Sequence, residues 1–489
     1  MPEARICPTE EAHMSKKIGI ILAALLCMAT ASLSLLSQEK KGIEGIWEGV
    51  LKVRGADVRI VFKINKKTDG ALTAVMDSPD QGAMDIPLDT VAFDNGSLRI
   101  ELKAAQASYE GKMKEDGSEI EGAWKQGGVS LPLVLKRADK APELKRPQEP
   151  KKPYPYDEEE VSYENARGGI KLAATLTLPR AKGPVPAVVF ITGSGAQDRN
   201  ETVFGHKPFL VLADYLTRHG IATLRADDRG VGGTTGNIEE ATSDDFAYDA
   251  LSGLEYLKSR SEINPKRIGL IGHSEGGIIA PIAAAKSSDV AFIVMMAGTG
   301  LTGEQILYLQ GALIAKANGA SEERIEKNLA IQRRINRIAI EEKDVAVAEE
   351  KLRQLVPEML AMLSDEEKKA MGGDIDKLIR EQTKRLISPW FRYFLAYDPK
   401  TSLRKVKCPV LAINGELDLQ VPFKENLEAI EGALKEGGNK SYTIKAFPKL
   451  NHLFQLASTG SPNEYVKIEA TISPEVLKFI GDWILEKTK

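Results

Sequence analysis

Ser274 lies in Gly272-His273-Ser274-Glu275-Gly276, a G-x-S-x-G turn between the apolar run Ile268-Gly269-Leu270-Ile271 and the helix-forming run Ile278-Ile279-Ala280. A strand that breaks sharply into a helix leaves its turn residue strained and exposed, with the side chain at the tip of the sheet. Glycines on both sides remove the Cβ atoms that would clash there. The hydroxyl of Ser274 is therefore a candidate nucleophile for acyl chemistry.

A serine hydroxyl attacks only when a base takes its proton. His206, His219 and His273 precede or abut Ser274, and His273, next to the serine in sequence, reads as elbow packing. His452 follows the last strand-like run, in Leu450-Asn451-His452-Leu453-Phe454. In sheets with such an elbow the order along the chain is nucleophile, acid, histidine, which makes His452 the base. The base needs a carboxylate to fix its tautomer. Asn414-Gly415-Glu416-Leu417-Asp418 offers two, after the apolar strand Val410-Leu411-Ala412-Ile413. Asp418 is the choice and Glu416 the runner-up, since a glutamate beside Gly415 is more often a solvated turn residue. Two backbone N–H groups must face the developing oxyanion. One is that of Glu275, after the nucleophile. The other comes from Thr192-Gly193-Ser194-Gly195, behind the strand Val188-Val189-Phe190-Ile191, with Ser194 preferred and Gly195 the alternative. Arg229, in the glycine-rich stretch Asp227-Asp228-Arg229-Gly230-Val231-Gly232, reads as structural.

These residues need a scaffold that brings distant positions to one edge. From residue 158 onward strands and helices alternate, which argues for a mostly parallel sheet covered on both faces. Such sheets gather their chemistry at the carboxyl ends of the strands. The stretch 302–398 interrupts the alternation as a long helical insert ending in the aromatic run Trp390-Phe391-Arg392-Tyr393-Phe394, and an insert at that edge would cap the Ser274 site. Residues 42–137 read instead as short strands between turn signals such as Asp94-Asn95-Gly96, a small all-β domain. Within it, Ile43-Glu44-Gly45-Ile46-Trp47 and Ile120-Glu121-Gly122-Ala123-Trp124 echo each other, more simply as two similar strands than as a repeat. Residues 138–157 form a proline-rich linker.

At 489 residues the chain exceeds one ordinary core. Its net charge of −3 supplies no basic footprint for nucleic acid. Lys16-Lys17, the apolar run Ile18 to Met28 and Ala29-Thr30-Ala31 read as a signal peptide spanning residues 1–31, too short for a membrane span. That implies a secreted or periplasmic protein, with lipidation at Cys27 or an uncleaved anchor as lesser alternatives. Cys7 and Cys27 fall in or before this leader, so Cys408 alone remains, with no intrachain disulfide and no metal cluster.

Taken together, Gly193-Ser194-Gly195-Ala196-Gln197-Asp198-Arg199-Asn200-Glu201, Asp228-Arg229-Gly230-Val231-Gly232, the Ser274 elbow, Asp418 and Asn451-His452 resemble the α/β-hydrolase superfamily. Specifically, they resemble bacterial carboxylesterases with a lipocalin-like N-terminal domain and a helical cap, often grouped with serine aminopeptidases of the S33 type. Thr192 departs from the pattern, standing where many relatives carry histidine. The resemblance implies an α/β-hydrolase core (158–301 and 399–489) with a cap at 302–398. It also implies hydrolysis of short-chain acyl esters through an acyl-enzyme, with no cofactor and a small-molecule ester as partner. The rivals on the same scaffold are an exopeptidase or amidase, and an acyltransferase or thioesterase. A lipid- or glycan-binding protein with a degenerate hydrolase domain is the rival from another class.

Overall fold

A computed structural model describes residues 42–489 except 54–55, 127–128, 141–144 and 363–381. The expected leader, with Cys7 and Cys27, lies outside the described residues, as does part of the expected linker and of the expected cap. Among the described residues no helix is long and apolar enough to cross a membrane.

The first domain is a single antiparallel sheet of nine strands: β1 (Gly45–Val53), β2 (Ala56–Lys66), β3 (Leu72–Ser78), β4 (Ala83–Pro87), β5 (Thr90–Asp94), β6 (Ser97–Leu102), β7 (Ala107–Met113), β8 (Glu119–Gln126) and β9 (Val129–Ala138). Their order is β4-β3-β2-β1-β9-β8-β7-β6-β5. The first and last strands therefore pair with each other, and the sheet's two edges, β4 and β5, are neighbours in sequence. Period-two alternation sends one face inward. In β6, Leu98, Ile100 and Leu102 are buried while Ser97 and Arg99 face water. The two echoing segments fall on β1 and β8, either side of β9. Trp47 and Trp124 enter the same core beside Phe62 and Tyr109.

The second domain is built on an eight-stranded sheet: β10 (Asp157–Asn165), β11 (Ile170–Leu178), β12 (Val185–Ile191), β13 (Ala222–Ala226), β14 (Ile263–His273), β15 (Ile293–Met296), β16 (Val410–Gly415) and β17 (Tyr442–Phe447). Their order is β10-β11-β13-β12-β14-β15-β16-β17. The β10–β11 hairpin and the β11–β13 pair are antiparallel; all later pairs are parallel. Central strands read as continuous apolar runs because both faces are covered. Val189, Leu270 and Val410 enter one core, with the helices Ser243–Lys258, Gly276–Lys286 and Phe423–Glu436. Val188, Ile271 and Leu411 enter the other, with the helices Pro208–Arg218 and Pro474–Lys487. This is the α/β-hydrolase architecture that the resemblance implied, preceded by an all-β domain.

After β12 the chain crosses to β13 on one side, then returns to β14 on the other. The crevice at such a reversal is where open α/β sheets bind their ligands. Ile191 pairs with Gly272, so the loop after β12 and the elbow after β14 emerge side by side.

Between β15 and β16 the described insert contains the helices Gly303–Ala317, Glu322–Glu341, Val345–Ala361 and Pro389–Ala396. Their starts are locally encoded: Thr302 and Gln305 form a reciprocal capping box, Ser321 and Asp344 cap the next two, and Ser388 caps a helix that opens on Pro389.

Candidate active site

Ser274 has φ 54, the left-handed region that a non-glycine residue seldom enters. Its N–H donates to the Met296 carbonyl at 2.9 Å, which fixes the elbow against β15. The flanking glycines are forced by contact. A Cβ on Gly272 would lie 2.8 Å from the nitrogen of Gly277, and one on Gly276 would lie 2.7 Å from the carbonyl oxygen of Thr192. Elbow, helix start and neighbouring strand thus touch backbone to backbone.

The loops after β16 and β17 are pressed together in the same way, since a Cβ on Gly415 would sit 2.7 Å from the Asn451 carbonyl oxygen. Asp418 is buried at their junction. Its Oδ1 accepts from the N–H groups of Gln420 and Val421, both at 2.8 Å. Its Oδ2 faces His452 Nδ1 at 2.7 Å. The Asn451 side chain accepts from the N–H groups of Leu453 and Gln455, folding the turn that carries His452. Glu416, the runner-up acid, is exposed, and its N–H is engaged by the Phe447 carbonyl. Ser274 and His452 line one cavity of about 470 Å³, roofed by Ile306, Leu307, Leu386, Trp390, Phe391 and Phe394 of the insert.

On the β12 side, the N–H of Gly193 donates to Glu201 Oε1 at 2.7 Å. Among the described residues the N–H groups of Ser194, Gly195 and Glu275 have no protein acceptor. Space around Gly193 is tight, because an added Cβ would be 3.3 Å from the Ser274 Cβ. The Thr192 hydroxyl, at the position that departs from the family pattern, donates to Asp228 Oδ1 at 2.6 Å. Burial pushes the Asp228 carboxyl up to about 7, against the lowering effect of the Thr192 and Gln197 hydrogen bonds.

Three side chains of the site make contacts that the sequence does not reveal. The carboxylate of Glu275 is buried under the insert, where it accepts from the Ser243 hydroxyl at 2.7 Å and from the Trp390 indole N–H at 3.0 and 3.2 Å. Burial raises its pKa, partly offset by these donors. Glu201 also has a positive φ, 53. Its Oε1 faces His273 Nδ1 at 2.9 Å, and His273 Nε2 lies 3.1 Å from the His452 carbonyl oxygen. His273 therefore packs the elbow and also links Glu201 to the loop of His452. Burial pulls its pKa down, but the Glu201 charge and hydrogen bond outweigh that and raise it.

The other candidates are structural. Arg229 pairs with Asp249, Nε to Oδ2 at 2.6 Å. His206 is buried between the Thr471 hydroxyl and the Tyr465 carbonyl, and His219 caps a helix end against the Tyr215 carbonyl. Among the described residues no cluster of three or more His, Cys, Asp or Glu could hold a metal ion.

Comparison with known proteins places the α/β domain in a family. Residues 168–444 match the model of the X-Pro dipeptidyl-peptidase (S15) family. Esterase EstD of Thermotoga maritima is 27% identical over 322 residues, 64% of this chain and 66% of EstD, so the match spans slightly less than two thirds of that relative. Among solved structures, the α/β hydrolase GrgF from Penicillium sp. sh18 is similar with a TM-score of 0.43 and 16% identity, covering 68% of this chain and 99% of GrgF. An esterase from Pyrococcus furiosus is similar with a TM-score of 0.42 and 15% identity, covering 72% of this chain and 100% of that one. The family match covers more than half of the 489 residues and includes Ser274 and Asp418. The chain belongs to the X-Pro dipeptidyl-peptidase (S15) family of α/β-hydrolases.

Proposed function

We propose that the chain is a serine carboxylesterase, with Ser274 as nucleophile, His452 as base and Asp418 as its orienting acid. The observation that carries the reading is the buried Asp418–His452 pair, at 2.7 Å, whose His452 lines the same cavity as a serine in a left-handed elbow. With Nδ1 turned to Asp418, His452 keeps Nε2 for the serine proton. Ser274 Oγ attacks the ester carbonyl, and the N–H groups of Glu275 and Ser194 receive the oxyanion. Collapse expels the alcohol, which takes the proton from His452. Water, deprotonated by the same nitrogen, then releases the acid and frees Ser274. Each oxyanion donor contributes ~3 kcal/mol to lowering the barrier. Likeness to a protein named an esterase supports the ester class. The leader read in the sequence makes a secreted or periplasmic location part of the proposal.

Ser274→Ala should abolish p-nitrophenyl butyrate hydrolysis and labelling by a fluorophosphonate probe. Turnover at the parent rate would remove Ser274 from the mechanism. A second reading, an exopeptidase that anchors a substrate amine, has two observations in its favour: the matching family model is that of X-Pro dipeptidyl-peptidases, and Glu201 Oε2 is buried without a protein partner. Aminoacyl-anilides compared with short-chain esters decide between them.

A further inference from the structure

The nine-stranded domain meets the hydrolase domain beside the wall of the Ser274 cavity. The contact is made by the turn Pro79–Gln81 and by Gly82, which closes it at φ 68. Gly82 rests on the main chain of Phe204 so closely that a Cβ would lie 2.6 Å from both Phe204 Cα and its carbonyl oxygen. A backbone cannot swing aside as a side-chain tip can, so the seat requires glycine.

The linker completes the clamp. Arg146 Nε donates to the Gly205 carbonyl at 3.1 Å, Nη2 to those of Phe204 and Val466, both at 3.0 Å, and Nη1 to that of Ile468 at 3.2 Å. One planar guanidinium thereby bridges two loops, a geometry that lysine cannot reproduce. From those loops Phe204 and Tyr465 meet edge to face, 5.4 Å between ring centroids, and both line the cavity with Ser274. The Phe204 segment is strained: Glu201 and Phe204, three positions apart, both have positive φ, 53 and 51. Such backbone persists where its surroundings over-determine it. Here those surroundings include the β-domain and its linker.

We propose that the β-domain and linker form part of the substrate-binding apparatus. Through Gly82 and Arg146, as positioning residues, they hold the Phe204–Tyr465 wall and so set which acyl groups the cavity accepts. The proposal rests on the ester-hydrolase reading of Ser274.

The test compares kcat/KM for p-nitrophenyl octanoate with that for p-nitrophenyl acetate, in the full chain. Phe204→Ala should lower the octanoate-to-acetate ratio by roughly tenfold, the scale of a lost hydrophobic pocket contact. Arg146→Gln should lower it in the same direction. The double variant should fall little below Phe204→Ala alone, because both act through one wall. An Arg146→Gln enzyme that slows both esters by one factor, or whose effect adds fully to that of Phe204→Ala, overturns the proposal. Should Arg146→Gln fail to fold, Arg146→Lys and Gly82→Ala perturb the same wall from the linker and from the β-domain. An unchanged ratio in both is equally fatal. The two readings fail differently: wild-type protein inert toward every ester removes the hydrolase, whereas an active enzyme with an unmoved ratio removes only the clamp.

Discussion

Asp418→Asn isolates one proton. Asp418 Oδ1 accepts two backbone N–H groups at 2.8 Å, and Oδ2 faces His452 Nδ1 at 2.7 Å. An asparagine must keep its oxygen on the two N–H groups, since its NH2 cannot accept them. The NH2 then points at His452 and turns Nδ1 into an acceptor. The imidazole proton moves to Nε2, the nitrogen that should take the proton of Ser274. Shape is conserved and the tautomer is wrong, so kcat should fall by about 10⁴. That factor corresponds to roughly 5.5 kcal/mol of barrier. Stability should change by only about 1–2 kcal/mol, because each backbone donor keeps its partner. The assay is p-nitrophenyl butyrate turnover beside urea unfolding of the same preparation. Glu416→Gln is the matched control, since that side chain is exposed. If Asp418→Asn keeps more than about a tenth of kcat while remaining folded, the orienting role assigned to Asp418 is wrong.

Gly276→Ala pushes a methyl to 2.7 Å from the Thr192 carbonyl oxygen. It should cost about 3 kcal/mol or more and lower Tm by several degrees. Gly432→Ala, in the helix Phe423–Glu436 with open space around it, should instead stabilise by about 0.5–1 kcal/mol, read from the same melts. Trp390→Phe removes an indole donor from the buried Glu275 carboxylate and should destabilise by about 1–3 kcal/mol. Adding Glu275→Gln should recover part of that loss, seen as non-additivity in urea unfolding. Burial pushes His206 down to about 4 from its usual 6.5. Between those values the unfolded chain binds more protons than the folded one, so stability should fall as pH drops from about 6.5 towards 4, by roughly 2 kcal/mol. His206→Gln should flatten that slope in denaturant titrations at stepped pH.

Apolar runs and glycine punctuation made the two sheets legible without coordinates. Strands buried on both faces must be apolar throughout, and strands with one wet face must alternate; both patterns survive in a single sequence. The elbow was legible because a left-handed serine wedged between backbones needs glycine neighbours. The choice between Glu416 and Asp418 was less clear in the sequence, because both stand in one polar turn. Only the folded loop shows that the N–H groups of Gln420 and Val421 hold Asp418 inward while Glu416 faces water.

Local sequence thus determined the elements, the order of their chemistry-bearing loops and the edge at which those loops gather. Tertiary structure alone decided that Glu201 reaches both Gly193 and His273, that Trp390 of the insert binds the carboxylate beside Ser274, and that Gly82 and Arg146 brace Phe204. The physical reason is range. A helix or strand writes its period into adjacent residues. A hydrogen bond between loops such as that of Glu275 and Trp390 exists only after whole elements have docked, and it leaves no spacing behind to be read.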